Sequence, residues 1–284
     1  MKRYALFITI LTFLTAPPSA SAFNVSGLKK PESFIIDPAT GSYYISNVNG
    51  GARQKNNNGF ITKLFPDGSI ENLNFIQSGR LGTTLHAPKG LAIVGERLYV
   101  TDIDRVCFFD KASGKFLGSI GLSIMGARFL NDIAADPEGN LYISDTHANI
   151  IFKLSRGQSY AASILAKGSR LRNPNGLVYD AARKRLLAAA YGSGEILSVA
   201  NDGSIRPAVP GKMKRPDGMD FDRSGRLIVS SFSTGKIYLI SDFSNMEILR
   251  ENLVTPADIS YDFRNNQVLV PSFNGNGAFT IPLH

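Results

Sequence analysis

Apolar and polar residues in this chain follow a pattern that returns six times. Each copy opens at a turn residue, passes a polar position into an apolar run often ending in Asp, turns, and resumes as a second apolar run. The copies read PESFIIDPATGSYYIS from Pro31, PKGLAIVGERLYVTD from Pro88, LNDIAADPEGNLYISD from Leu130, PNGLVYDAARKRLLAA from Pro174, PDGMDFDRSGRLIVSS from Pro216 and PADISYDFRNNQVLVP from Pro256. Their starts lie 57, 42, 44, 42 and 40 residues apart, close to the length of one four-stranded propeller blade. Runs rich in Ile, Val, Leu, Tyr and Phe, separated by Gly-, Pro- or Asn-containing turns, read as hairpins.

A third apolar run follows in every copy, beginning near Gly59, Arg105, Asn149, Gly194, Gly235 and Gly277. A fourth, weaker run is present in five copies, from Ser69, Lys115, Ser159, Ser204 and Met246. The sixth copy runs out at His284, so the segment from Phe23 to Gly27 is expected to supply its outer strand. That pairing closes the ring and leaves no open sheet edge there. The expected fold is all-β: one six-bladed β-propeller domain over residues 23–284. An open six-copy solenoid is the competing arrangement, and it accounts less well for the outer strands and the incomplete last copy.

The N-terminus reads differently from the repeats. Lys2 and Arg3 precede an apolar run from Tyr4 to Leu14, followed by Pro17, Pro18 and the small residues Ala20, Ser21 and Ala22. This is the pattern of a signal peptide over residues 1–22, and the run is shorter than the ~20 residues a spanning helix needs. The mature chain is therefore expected in the periplasm or outside the cell, with no membrane association after cleavage. Cys107 is the only cysteine, so no internal disulfide can form. Its place in the apolar run Val106 to Phe109 marks it as a buried thiol.

The formal charge is +8, of which Lys2 and Arg3 supply two. Export and the absence of a helical basic stripe argue against nucleic acid as the partner. The positive charge instead has a local use. The loops entering the inner strands carry Lys29, Lys30, Lys167, Arg170, Arg172, Lys212, Lys214 and Arg215, a basic rim suited to drawing an anionic small molecule toward the channel. Arg183, Lys184 and Arg185 sit in a hairpin on the opposite face.

In a propeller the first strand of each blade lines the central channel. The polar position that opens each copy reads, in blade order, Glu32, Lys89, Asn131, Asn175, Asp217 and Ala257. Two carboxylates and two carboxamides from separate blades are hard oxygen donors of the kind Ca²⁺ prefers. His86, His147 and His284 lie in different copies, which gives no zinc cluster. Ser33 and Ser46 lack the G-x-S-x-G setting of a serine hydrolase.

The constellation PESFIIDP, LNDIAADPEGNLYISD, NPNGLVYD and RPDGMDFD resembles the calcium-dependent six-bladed propellers of the SMP-30, gluconolactonase and paraoxonase group, and the likeness extends over nearly the whole mature chain. The resemblance implies one Ca²⁺ in the central channel held by Glu32, Asn131, Asn175 and Asp217. It implies hydrolysis of a lactone or related ester, with Asp217 or a second carboxylate activating a water and Asn131 among the positions that hold the ion or contact substrate. Beside the resemblance, Lys89 and His147 are candidate substrate contacts at the mouth, His147 read either as a general base or as a loop residue that shapes the turn with Asn149. Lys89 stands where paraoxonase-like members carry a histidine. Lys89 has four expected settings: solvated at a loop edge, turned outward, paired with Glu32, or binding an anionic substrate. His147 lies near Asp145 at the mouth, with Asp102 at the equivalent place in the second blade. Tyr191, Phe232 and Phe273 are expected at the rim, and the Gly- and Asn-rich loop from Val48 to Asn58 is expected to act as a flexible lid. The alternative function is a non-catalytic, NHL-like propeller that binds an acidic ligand or a protein partner.

Overall fold

Second strands that lie between two other strands and two neighbouring sheets should be apolar along their whole length. Tyr43–Asn47, Leu141–Asp145 and Leu227–Ser231 are indeed buried at every residue, whereas the outer strand Phe116–Gly121 alternates between half-buried and exposed positions. The computed structural model describes residues 22–80, 82–209 and 213–283. The expected signal peptide up to Ser21 lies outside these residues, as do Lys212 and His284.

Six antiparallel four-stranded sheets form the six blades of a β-propeller. The first five take their strands in chain order. In the sixth, Asn24–Val25 pairs with Gly277–Pro282, so the N-terminal segment supplies the outer strand of the last blade, as the sequence predicts. Among the described residues the apolar core forms six buried clusters, one at each interface between neighbouring blades, and a small seventh of Val48, Ala87 and Ile103. One joins Tyr99 and Val106 of the second blade to Leu130 and Phe152 of the third. Another joins Val25 and Leu269 of the sixth to Phe34 and Tyr43 of the first. Burying sheet faces against each other around a ring removes apolar surface from water without a central hydrophobic mass. The axis is left free for polar groups.

The inner strands Pro31–Ile36, Pro88–Val94, Leu130–Ala135, Pro174–Asp180 and Pro216–Phe221 share one irregularity. Each slips register against its neighbour between its first and fourth residues. The bulge falls on the polar position and the residue after it, and such bulges re-aim side chains. Serines on the second strands take up the freed amides. The N–H groups of Ser33, Asp132 and Gly218 donate to Oγ of Ser46, Ser144 and Ser230 at 2.9, 3.0 and 2.9 Å. Ser46 is therefore a support for the bulge. Bonds between blades complete the lattice: Asp258 N–H donates to Glu32 O at 2.9 Å and Thr146 Oγ1 to Pro174 O at 2.8 Å.

Candidate functional site

The bulges bring Glu32, Lys89, Asn131, Asn175 and Asp217 to one cavity of about 250 Å³ at the channel mouth. Ala257 of the sixth blade, Thr146 and His147 join them there. Phe129, Tyr191, Phe232 and Phe273 form aromatic walls, completed by Val48 and Ala52. Every residue singled out above as ligand, catalytic group or substrate contact thus lies at this cavity.

The polar atoms of the cavity are unevenly satisfied. Asn131 Nδ2 donates to Thr146 Oγ1 at 3.2 Å, and Asn175 Nδ2 donates to Asp217 Oδ2 at 3.1 Å. Each carboxamide thus spends its N–H on a neighbour and keeps its oxygen free. Seven buried side-chain polar atoms among the described residues lack a hydrogen-bond partner, and four of them are Glu32 Oε2, Asn131 Oδ1, Asn175 Oδ1 and Asp217 Oδ1. An unpaired buried acceptor is costly, so four from four different blades at one cavity call for a positive ligand. Oxygen-only donors with two formal negative charges suit Ca²⁺. Among the described residues no three His, Cys, Asp or Glu side chains form a metal cluster; the set reaches four donors only because two are carboxamides.

Burial raises the Glu32 carboxyl well above its usual range, and Asp217 and Asp132 nearby raise it further. Burial and then Asp132 also raise Asp217. A site that resists ionisation while it holds no cation is one in which protons and a cation compete for the same oxygens.

Lys89 is neither solvated, nor turned outward, nor ion-paired with Glu32. It is only 2% exposed, its Nζ donates to Ala87 O at 3.0 Å, and the ammonium lies 4.6 Å from the centroid of the Phe129 ring. It forms no salt bridge among the described residues. Burial pulls its pKa down to about 8, against the opposing pull of Glu32. The His147 imidazole stacks on Phe129, with centroids 4.4 Å apart and planes at 15°. Burial and then the Arg53 charge lower its pKa, which favours neutral imidazole.

Asp145 and Asp102 serve the loops. Asp145 accepts the backbone N–H groups of Arg128, Phe129, His147 and Ala148 at 2.6 to 3.1 Å. Asp102 accepts those of His86 and Ala87 and pairs with Arg105 at 3.0 Å. The loop expected to act as a lid forms part of the cavity wall through Val48 and Ala52. It is tied at Asn49 Nδ2 to Asn58 O (2.7 Å), at Asn57 N–H to His86 Nδ1 (3.3 Å) and at Lys55 to Asp104 (2.6 Å). On the basic rim, Arg170 pairs with Glu195 at 3.0 Å, and the Arg215 guanidinium lies 5.6 Å from the Tyr191 ring.

Sequence reasoning missed Phe129 and three carboxylates, the buried Asp132 and Asp258 and the half-buried Asp220. These carboxylates line a second cavity of about 330 Å³ whose other walls are inner-strand residues such as Ile35, Leu91, Leu177 and Met219. Asp132 and Asp258 occupy the position after the polar one, which reads Ser33, Gly90, Asp132, Gly176, Gly218, Asp258 around the ring. That alternation is steric. A Cβ on Gly90 would stand 2.6 Å from Asp132 Cα, and one on Gly218 would stand 2.2 Å from Ile259 N and 2.5 Å from Asp258 Cα. Glycine in one blade makes room for aspartate in the next, a signal visible in the repeat when its third position is read around the ring.

No protein-family model and no curated protein matches the chain. Solved structures do. A gluconolactonase from Xanthomonas campestris superposes with a TM-score of 0.71 at 18% identity, covering 92% of this chain and 88% of its own. A protein described as a putative gluconolactonase gives a TM-score of 0.71 at 16% identity, with 94% and 93% covered. Virginiamycin B lyase from Staphylococcus aureus gives 0.67 at 13% identity, with 93% and 99% covered. One architecture thus carries enzymes named for different reactions, and function must be argued from the site. What these likenesses show, together with the six sheets, is that the chain has the six-bladed β-propeller fold.

Proposed function

We propose that the chain is an exported, calcium-dependent hydrolase that opens a lactone or a related ester at the channel mouth. The observation that carries this reading is the set of four unpartnered buried oxygens, Glu32 Oε2, Asn131 Oδ1, Asn175 Oδ1 and Asp217 Oδ1. In this reading those four residues hold the cation. When bound, Ca²⁺ supplies polarisation of the substrate carbonyl and charge stabilisation as its oxygen becomes negative.

The chain's own residues do the rest. The Asn175 amide fixes Asp217 through Oδ2; the Asp217 carboxylate accepts the proton of the attacking water as the new C–O bond forms, and returns it to the alcohol oxygen released when the ester C–O bond breaks. Phe129, Tyr191, Phe232 and Phe273 displace solvent from around the substrate and hold its apolar part. His147, stacked on Phe129, and the Asn131 side chain contact the substrate. No covalent nucleophile is required, in keeping with the supporting role of Ser46. The gluconolactonase names of two fold neighbours support lactones as the first substrates to try.

The test begins with metal content and thermal unfolding of the mature protein before and after chelation, with Ca²⁺ and Mg²⁺ added back separately. A lactone and ester panel follows. A stoichiometric, calcium-selective rise in the melting midpoint, with turnover that chelation abolishes, is the expected result. Absence of both metal and shift overturns the reading.

A further inference from the structure

Among the described residues two lysines are buried, in opposite settings. Lys111 lies between carboxylates, 3.1 Å from Asp37 Oδ2 and 3.5 Å from Glu96 Oε1. Lys89, more deeply buried at 2% exposure, forms no salt bridge among the described residues. One of its three N–H donors reaches Ala87 O; the ammonium otherwise faces the Phe129 ring and the cavity. Glu32, Asp102 and Asp145 act on it only at longer range; a buried cation with no carboxylate in contact is expensive, and a ring face offsets only part of that.

The same arrangement recurs around the mouth. Lys30 lies 6.0 Å from the Phe273 centroid and Arg215 lies 5.6 Å from that of Tyr191. Three of the four aromatic walls therefore carry a cation, and the fourth, Phe232, packs edge-on against Phe273 at 5.8 Å. Lys89 lines the cavity itself, and Lys30 and Arg215 lie outside its lining; aromatic walls in this positive setting suit a molecule with an apolar body and an anionic end. At about 250 Å³, the cavity falls below the roughly 300–1,000 Å³ of drug-sized sites, so the molecule is small.

We propose that the mouth recognises a small carboxylate with an aromatic or aliphatic body, its carboxylate accepting hydrogen bonds from Lys89, and that the substrate is a lactone or ester bearing such a group. This rests on the reading of the four-oxygen set as a cation site: the bound ion takes up the charges of Glu32 and Asp217, while Asp102 is committed to Arg105 and Asp145 to loop amides, which leaves Lys89 in excess.

Calorimetry on the calcium-loaded protein tests it without reference to turnover. The probes are phenylacetate, 3-phenylpropionate and hexanoate, each beside its uncharged amide of the same shape. The wild type is expected to bind at least one acid, and to prefer each acid it binds over its amide by tenfold or more, as a charge-assisted hydrogen bond provides. Lys89→Met is expected to remove the preference while leaving amide binding within about twofold, and Lys89→Arg to keep most of it. Equal binding of acid and amide in the wild type, or binding of neither at millimolar concentration, overturns the proposal, and this comparison needs no variant to fold. A preference that survives Lys89→Met overturns the role of Lys89. Lys89-dependent acid binding without hydrolysis of any ester would sustain the carboxylate site and remove both the hydrolase reading and the substrate assignment that rests on it.

Discussion

The mouth cavity and the second cavity are both lined by carboxylates and differ in how the lone pairs of those carboxylates are used. In the second cavity, both Asp132 oxygens accept backbone amides, from Ile133 and Leu177 at 2.6 Å each. Both Asp220 oxygens do the same, from Phe221 at 2.8 Å and Tyr261 at 2.7 Å. The Leu177 and Tyr261 bonds cross from one blade to the next, so these carboxylates act as fasteners. At the mouth, Glu32 and Asp217 each keep a buried oxygen with no partner. Burial, abundant in both places, does not separate a fastener from a ligand. The unspent acceptor does, and the larger cavity is on that measure the less receptive one.

Replacing one residue from each end should give effects of different kinds. Asp217→Ala removes a donor and the proposed base. Turnover on the lactone panel should fall about 10²–10⁴-fold, and the calcium-induced rise in melting midpoint should vanish while the circular dichroism spectrum stays that of the wild type. Turnover close to wild type would move the chemistry away from Asp217. Asp132→Ala leaves two amides without acceptors, at about 1–3 kcal/mol for each buried group. For a domain of this size the midpoint should drop by about 2–4 °C per kcal/mol, with the calcium-induced rise retained. Loss of that rise at unchanged stability would erase the distinction between the two ends.

Why the mouth was readable from sequence and the second cavity was not follows from the bulge. Glu32, Asn131, Asn175 and Asp217 sit at one repeated position, so a register established for the repeat carries all four inward together. Asp132 and Asp258 sit one residue further on, where a regular strand would turn them to the opposite face of the sheet. The slip between the first and fourth residues of five inner strands admits both positions to the axis. Nothing in the apolar alternation announces that slip. The setting of Lys89 was hidden for another reason: its partner is the ring of Phe129, supplied by the loop before the next blade, and loop side chains carry no periodicity to place them.

Titration offers a third way to separate the ends. Burial raises Asp132 and Asp220 to about 6 and raises Asp258 well above its usual value. At the mouth it raises Glu32 well above its usual value and Asp217 to about 8. Each folded-state value exceeds the unfolded one, so the native state binds more protons than the unfolded chain in the interval between them. Stability of the calcium-free protein should therefore be highest near pH 4 on account of these groups and decline as pH rises toward about 8. Calcium should remove the mouth's share of that decline and leave the share of Asp132, Asp220 and Asp258. Urea unfolding across this range, with calcium and with chelator, reads the difference. A decline that calcium leaves untouched would mean that Glu32 and Asp217 do not hold the ion, and one that calcium abolishes entirely would tie the second cavity to the same ion.

The smallest expected effect lies where the two ends share a support. Ser144 Oγ accepts the N–H of Asp132 inside the third blade's bulge, the residue between Asn131 at the mouth and the channel interior. Ser144→Ala leaves that amide without its acceptor and should lower stability by about 1–2 kcal/mol, read as a shift of a few degrees in the melting midpoint. Calcium affinity should stay within about threefold, because Asn131 is held independently through its Nδ2 bond to Thr146. If affinity falls further than stability, the bulge itself sets the reach of the Asn131 oxygen, and fastening and ligation are then one function of the same two residues.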